Sequence, residues 1–142
     1  VREIAVIRQH AYHTFKILQR IGMDEDFRNW SSYHHERLDG SGYPFHLSAP
    51  QLSFGCRVMT VADIFTALVE NRPYRPGLPR QKAISILQNM TARNWLDGDL
   101  VRTISGNFDE VNSICQQAEE TAQNDYQSFA SARQDYEQQV MA

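Results

Sequence analysis

The stretch His34-His35-Glu36-Arg37-Leu38-Asp39-Gly40-Ser41-Gly42-Tyr43-Pro44 decides how this chain is to be read. Two glycines and a proline crowd its second half, so no helix continues through it and the segment is a tight loop. The two histidines stand where a short helical segment, Asp24 to Tyr33 with Asp24 or Asp26 as its N-cap, runs into that loop. Adjacent imidazoles at such a junction can converge on one point from different directions. Neutral imidazole is also the commonest metal ligand among side chains.

Outward from this loop the pattern is helical. Upstream, Ile4, Ile7, Ala11, Phe15, Leu18 and Ile21 recur in steps of three and four, which predicts a helix over 1–21 closed by Gly22. Downstream, Pro50 suits the first turn of a helix reaching Val69, whose stripe of Val58, Val61, Ala62, Phe65 and Leu68 should cross the core. A second rigid loop, Asn71 to Gly77, holds Arg72-Pro73-Tyr74-Arg75. Pro79 opens a helix through Met90, and 97–105 carries another. A glutamine-rich helix spans 109–139, with Ile114, Ala118, Ala122, Phe129 and Tyr136 on one side. Ala122, Phe129 and Tyr136 repeat every seventh residue, but aromatics make a poor coiled-coil seam, so this helix is expected to pack on the domain. With no strand signal and no internal repeat, the expected class is all-α, a helical bundle.

Composition narrows the function. A length of 142 residues fits a single domain, 1–142, and 42% apolar residues suffice for a core. A net charge of −3 argues against a binder of duplex nucleic acid, which needs a basic face. No apolar run approaches the roughly 20 residues that span a bilayer. Cys56 and Cys115 are far apart and lack metal or redox spacing, which fits thiols in a reducing, cytoplasmic setting.

Two further residues bear on the histidine pair. His10 and Asp63 lie within two separate apolar helices, and Asp63 is flanked by Val61, Ala62, Ile64 and Phe65. A carboxylate on a core-crossing helix needs a partner, because an unpaired buried charge costs several kcal/mol. Arg57, Arg72 or Arg75 could supply one, and so could a metal ion. Taken singly, His10 reads as a capped or solvated histidine, and the His-His pair is as readily chance as function. Together with Asp63 they lie on three successive helical segments able to pack around a shared point.

The eleven-residue segment His34-His35-Glu36-x-x-Asp39-Gly40-x-Gly42-Tyr43-Pro44 resembles the signature of the HD-GYP family, a branch of the HD metal-dependent phosphohydrolases. Val61-Ala62-Asp63-Ile64-Phe65-x-Ala67-Leu68 and Arg72-Pro73-Tyr74-Arg75 continue the resemblance, which covers about 1–90. It implies a helical bundle of the HD-domain type, two or three divalent ions (iron or manganese), and hydrolysis of cyclic di-guanylate. Carried over residue by residue, it makes His10, His34, His35 and Asp63 metal ligands. Glu36 becomes the catalytic-site glutamate that orients one of them, and Tyr43, Arg72 and Arg75 hold the nucleotide. Arginine forks suit phosphate, and a tyrosine hydroxyl can donate to it.

The His-Asp pair that names the superfamily would lie before His10, and no His-Asp dipeptide occurs in this sequence. The expectation is therefore a carboxy-terminal portion of a longer protein, truncated at its amino terminus, inactive by itself and normally joined to an upstream sensory or receiver domain. An apolar face of the first helix would then be left bare and drive self-association into a homo-oligomer. The rival readings are a non-catalytic binding module with an incomplete metal site and a phosphohydrolase acting on another nucleotide.

Overall fold

The chain's architecture was obtained as a computed structural model, which describes the backbone of residues 2–72 and 75–141 and the side chains of 7–72, 75–131 and 133. Of the residues singled out above, Ile4, Pro73, Tyr74 and Tyr136 have side chains outside that set. The described residues form α-helices and loops with no extended sheet: α1 (Arg2–Arg20), α2 (Glu25–Ser32), α3 (Phe54–Val69), α4 (Arg80–Ala92), α5 (Gly98–Gly106) and α6 (Phe108–Met141). The all-α expectation holds. Two compact units divide the chain, 1–106 and 107–142. The second is the single helix α6, along which Ile114, Tyr126 and Phe129 are exposed.

In the first unit, α1 packs on α2, α2 on α3, and α3 on both α4 and α5, which also pack on each other. Local chemistry sets these boundaries. Asp24 caps α2 by accepting from the amides of Asp26 and Phe27, which removes two of the donors a helix start leaves open. Pro50 does not open the long helix expected of it. Ser48 and Gln51 form a capping box around a short 3-10 turn, Ala49–Gln51, and Leu52 is extended. Ser53 then caps α3 by accepting from the Cys56 amide. Arg57 ties the pieces together, donating to the carbonyls of Ala49 and Leu52 and to Asp97, the carboxylate that also caps the start of α5.

The buried face of α3 is Cys56, Thr60, Val61 and Phe65, not the stripe that included Val58 and Ala62, both of which are exposed. Thr60 looks polar in sequence, but its hydroxyl donates to the Cys56 carbonyl at 3.0 Å and so can be buried without an orphaned group. The stripe expected of the first helix is split: Ala11 is fully buried, Ile7 is exposed, and Ile21, also exposed, lies just past the end of α1. Gly55 permits the close approach of α2 and α3, since a Cβ there would overlap the Trp30 indole.

Gly55→Ala should therefore destabilise the chain by about 1–3 kcal/mol through overpacking. The Ser53→Ala cap deletion should cost about 1 kcal/mol. Urea denaturation followed by circular dichroism reads both, and a neutral Gly55→Ala would show that this helix contact is not tight.

Candidate metal centre

Three imidazoles meet beside the signature loop. His10 Nε2 on α1 lies 3.3 Å from His34 Nε2 and 3.1 Å from His35 Nε2. Their candidate ligand atoms all fall within 4.8 Å of one another. The far side of each ring explains why. His10 Nδ1 lies 2.6 Å from the Ile7 carbonyl, and His34 Nδ1 lies 3.0 Å from the Ser31 carbonyl. A carbonyl only accepts, so each Nδ1 carries the proton and donates it, and in the neutral ring each Nε2 is a bare lone pair. His35 Nδ1 faces the acceptor-only carboxylate of Asp63 at 3.6 Å, which favours the same tautomer.

Two lone pairs aimed at one another at such distances repel unless a proton or a cation lies between them. An ion holding nitrogens at about 2.0–2.1 Å would set adjacent ligand atoms roughly 3.0–3.4 Å apart. The donor set therefore fits a divalent metal. Burial, reinforced by His34 and opposed by Asp63, lowers the His35 pKa to about 4, so this ring is neutral and ready to ligate at neutral pH.

Asp63, expected as a ligand on a core-crossing helix, lies on a partly open edge of α3 with its side chain 44% exposed, against His35 rather than among the three nitrogens. Glu36 has a different task from the one expected. It is 1% exposed, and its two oxygens accept from the amides of Phe45 and Leu47 at 2.7 and 3.0 Å. The groups that orient His10 and His34 are the Ile7 and Ser31 carbonyls instead. Glu36 thus holds the loop that follows the ligands. Gly42 is required for the same packing, because a Cβ there would collide with the backbone of Glu36 and Arg37. Gly40 takes a left-handed φ of 79°.

Tyr43 is brought to the centre. Its amide donates to the His35 carbonyl, and its ring lies 4.8 Å from the His35 ring, tilted by 33°. Burial raises the phenol pKa, with Arg8 pulling the other way, so the hydroxyl remains a donor. Arg72 and Arg75 are tied to the end of α3, Arg72 Nε to Glu70 at 3.2 Å and Arg75 Nη2 to the Ala67 carbonyl at 2.6 Å. His13 packs edge-on against Tyr12, and His46 occupies a left-handed loop position. Arg8, unmarked by any spacing in the sequence, lies over the Tyr43 ring.

A helical bundle carrying three imidazoles with bare, convergent nitrogens defines a candidate metal-dependent enzyme class. Residues 1–100 match the HD domain family, and the chain belongs to it. Among curated relatives, 3'3'-cGAMP-specific phosphodiesterase 3 of Vibrio cholerae is 37% identical over 61% of this chain and 19% of its own length. In the same organism, 3'3'-cGAMP-specific phosphodiesterase 1 is 31% identical over 79% of this chain and 26% of its own. A cyclic di-GMP phosphodiesterase of Thermotoga maritima is 31% identical over 64% and 25% respectively. The chain thus matches about a quarter or less of the length of these relatives.

Two outcomes follow from the geometry. Glu36→Gln places an NH2 against a backbone amide donor and should destabilise the chain by about 1–3 kcal/mol; an unchanged urea midpoint would remove the loop-holding role. The metal-free chain should also lose stability on acidification. The folded His35 value of about 4 lies below the ordinary 6.5, so the unfolded chain binds the proton first. The contribution of His35 is whole above about pH 6.5 and is lost as pH falls towards 4. His35→Asn should flatten that part of the stability profile, and a slope equal to that of the parent chain would count against it.

Proposed function

We propose that this chain is the metal-binding part of an HD-GYP-type phosphodiesterase whose substrate is a cyclic dinucleotide, cyclic di-guanylate in the first instance. The convergence of three bare imidazole nitrogens next to the signature loop carries this reading, and the activities named for the relatives agree with it. His10, His34 and His35, with Asp63 as the carboxylate of the set, would hold two or three iron or manganese ions in the intact protein. When bound, such ions lower the pKa of a water molecule and neutralise charge developing on a phosphodiester.

The chain's own groups do the rest. The Ile7 and Ser31 carbonyls hold the His10 and His34 tautomers. The Tyr43 hydroxyl donates to a phosphate oxygen. Arg72 and Arg75, released from Glu70 and Ala67, fork the nucleotide's phosphates. Glu36 keeps the loop rigid so that Tyr43 stays in place.

We place this activity in the cytoplasm, downstream of a sensory or receiver domain. Among the described residues, no helix is long and apolar enough to cross a membrane. Exposed Ile7 and Ile17 on α1, with Ile21 just past its end, supply the surface for self-association.

In the full-length protein, His34→Ala and Asp63→Ala should lower bound manganese and abolish hydrolysis of cyclic di-guanylate, whereas Arg72→Ala should weaken substrate binding more than metal uptake. Sedimentation at tens of micromolar should show a dimer or larger species. Unchanged metal content in both ligand variants would overturn the reading. Nucleotide binding by the metal-loaded protein without turnover would make it a binding module.

A further inference from the structure

The arginines with assigned work in this chain are engaged: Arg57 with Asp97, Arg72 with Glu70, and Arg75 with the Ala67 carbonyl. Arg8 differs. It stands two residues before His10 on α1, exposed, with its guanidinium carbon 5.0 Å from the centroid of the Tyr43 ring. Among the described residues it makes no ion pair and no hydrogen bond. A cation–π contact favours this position of the guanidinium and uses none of its N–H donors. Those five donors therefore remain available while the group is held in place.

Their position is set by a short relay of contacts. Tyr43 carries Arg8 on its ring and is itself anchored to His35 by a backbone hydrogen bond of 3.2 Å and a ring contact of 4.8 Å. A fixed cation with free donors thus stands at the rim of the imidazole cluster, beside a phenol hydroxyl, in a chain of net charge −3. That is the chemistry that captures a phosphate: a planar fork for two oxygens and a neutral donor alongside. Resting on the function proposed above, we infer that Arg8, paired with Tyr43, grips a non-bridging phosphate oxygen of the nucleotide at the edge of the metal centre.

The test uses the full-length protein with Mn2+, reading the affinity of a non-hydrolysable phosphorothioate analogue of cyclic di-guanylate by equilibrium dialysis and Mn2+ uptake by atomic absorption. Arg8→Gln should weaken the nucleotide about tenfold to a hundredfold, and Arg8→Lys should recover part of the loss. Arg20→Gln, which removes the same charge from the far end of α1, should bind as the parent does. Mn2+ uptake and melting temperature should be unchanged throughout. Parental affinity in Arg8→Gln, equal losses in Arg8→Gln and Arg20→Gln, or a loss confined to Mn2+ uptake or melting temperature would each overturn the assignment. A parent protein that takes up Mn2+ but no nucleotide would overturn it while leaving the metal centre standing. A parent protein without Mn2+ uptake would sink the metal centre and Arg8 together.

Discussion

A carboxylate removed from water must find donors, and the loop of this chain is arranged around one that has done so. Glu36 directly follows the paired histidines and is essentially inaccessible, with one oxygen on the Phe45 amide and the other on that of Leu47. Hydrogen bonds to a charged acceptor are about twice as strong as neutral ones. Two of them here close a loop of ten residues back onto its own start. Gly42 supplies the space for that closure, and the amide of Tyr43 completes it by donating to the His35 carbonyl. Loop order and ligand order are thus the same property. The backbone that leaves His35 is gripped by the residue next to it, and the ring of Tyr43 comes to rest on the imidazole it must accompany.

The second constraint is electrostatic and comes from what the imidazoles do with their other nitrogens. Two backbone carbonyls take the Nδ1 protons of His10 and His34, and the Asp63 carboxylate faces His35 Nδ1 at 3.6 Å, so the Nε2 atoms turn toward one another. His34 and His35 are part-buried and His10 is exposed, so the converging nitrogens form a surface-accessible site open to an ion. Protonation of His35 is no remedy at neutral pH, since burial and the neighbouring rings hold its pKa near 4. A divalent cation satisfies all three at once, which is why the cluster reads as a metal centre and not as three solvated side chains.

The helices were legible because their caps and periodicities are local. Asp24 and Pro79 act within a few residues of where they stand, and the long helix 108–141 has no breaker inside it. Pro50 by itself points to a longer helix than forms, because Ser48 and Gln51 close a capping box before Leu52 goes extended, a cooperation that a lone helix-start signal does not reveal. The meeting of His10 with His34 and His35 was legible as a motif. The task of Glu36 was not, because its partners lie 9 and 11 residues away and are backbone amides, which no side-chain pattern announces. Arg8 escaped for the same reason, since its partner Tyr43 is a contact of the fold and not of the sequence.

The ligands are unequally supported, and this shapes what a bound ion would do. His34 and His35 belong to a junction locked by Glu36, whereas His10 comes from α1, which packs on α2 and through Tyr12 and Phe15 on Phe45, and which exposes Ile7 and Ile17. Ligand binding that is stronger in one arrangement stabilises that arrangement by mass action. A cation shared between His10 and the junction would therefore hold α1 more firmly against the loop on which it already packs, and with it the Ile7 carbonyl that sets the His10 tautomer. The fixed half of the centre selects the geometry, and the first helix completes it.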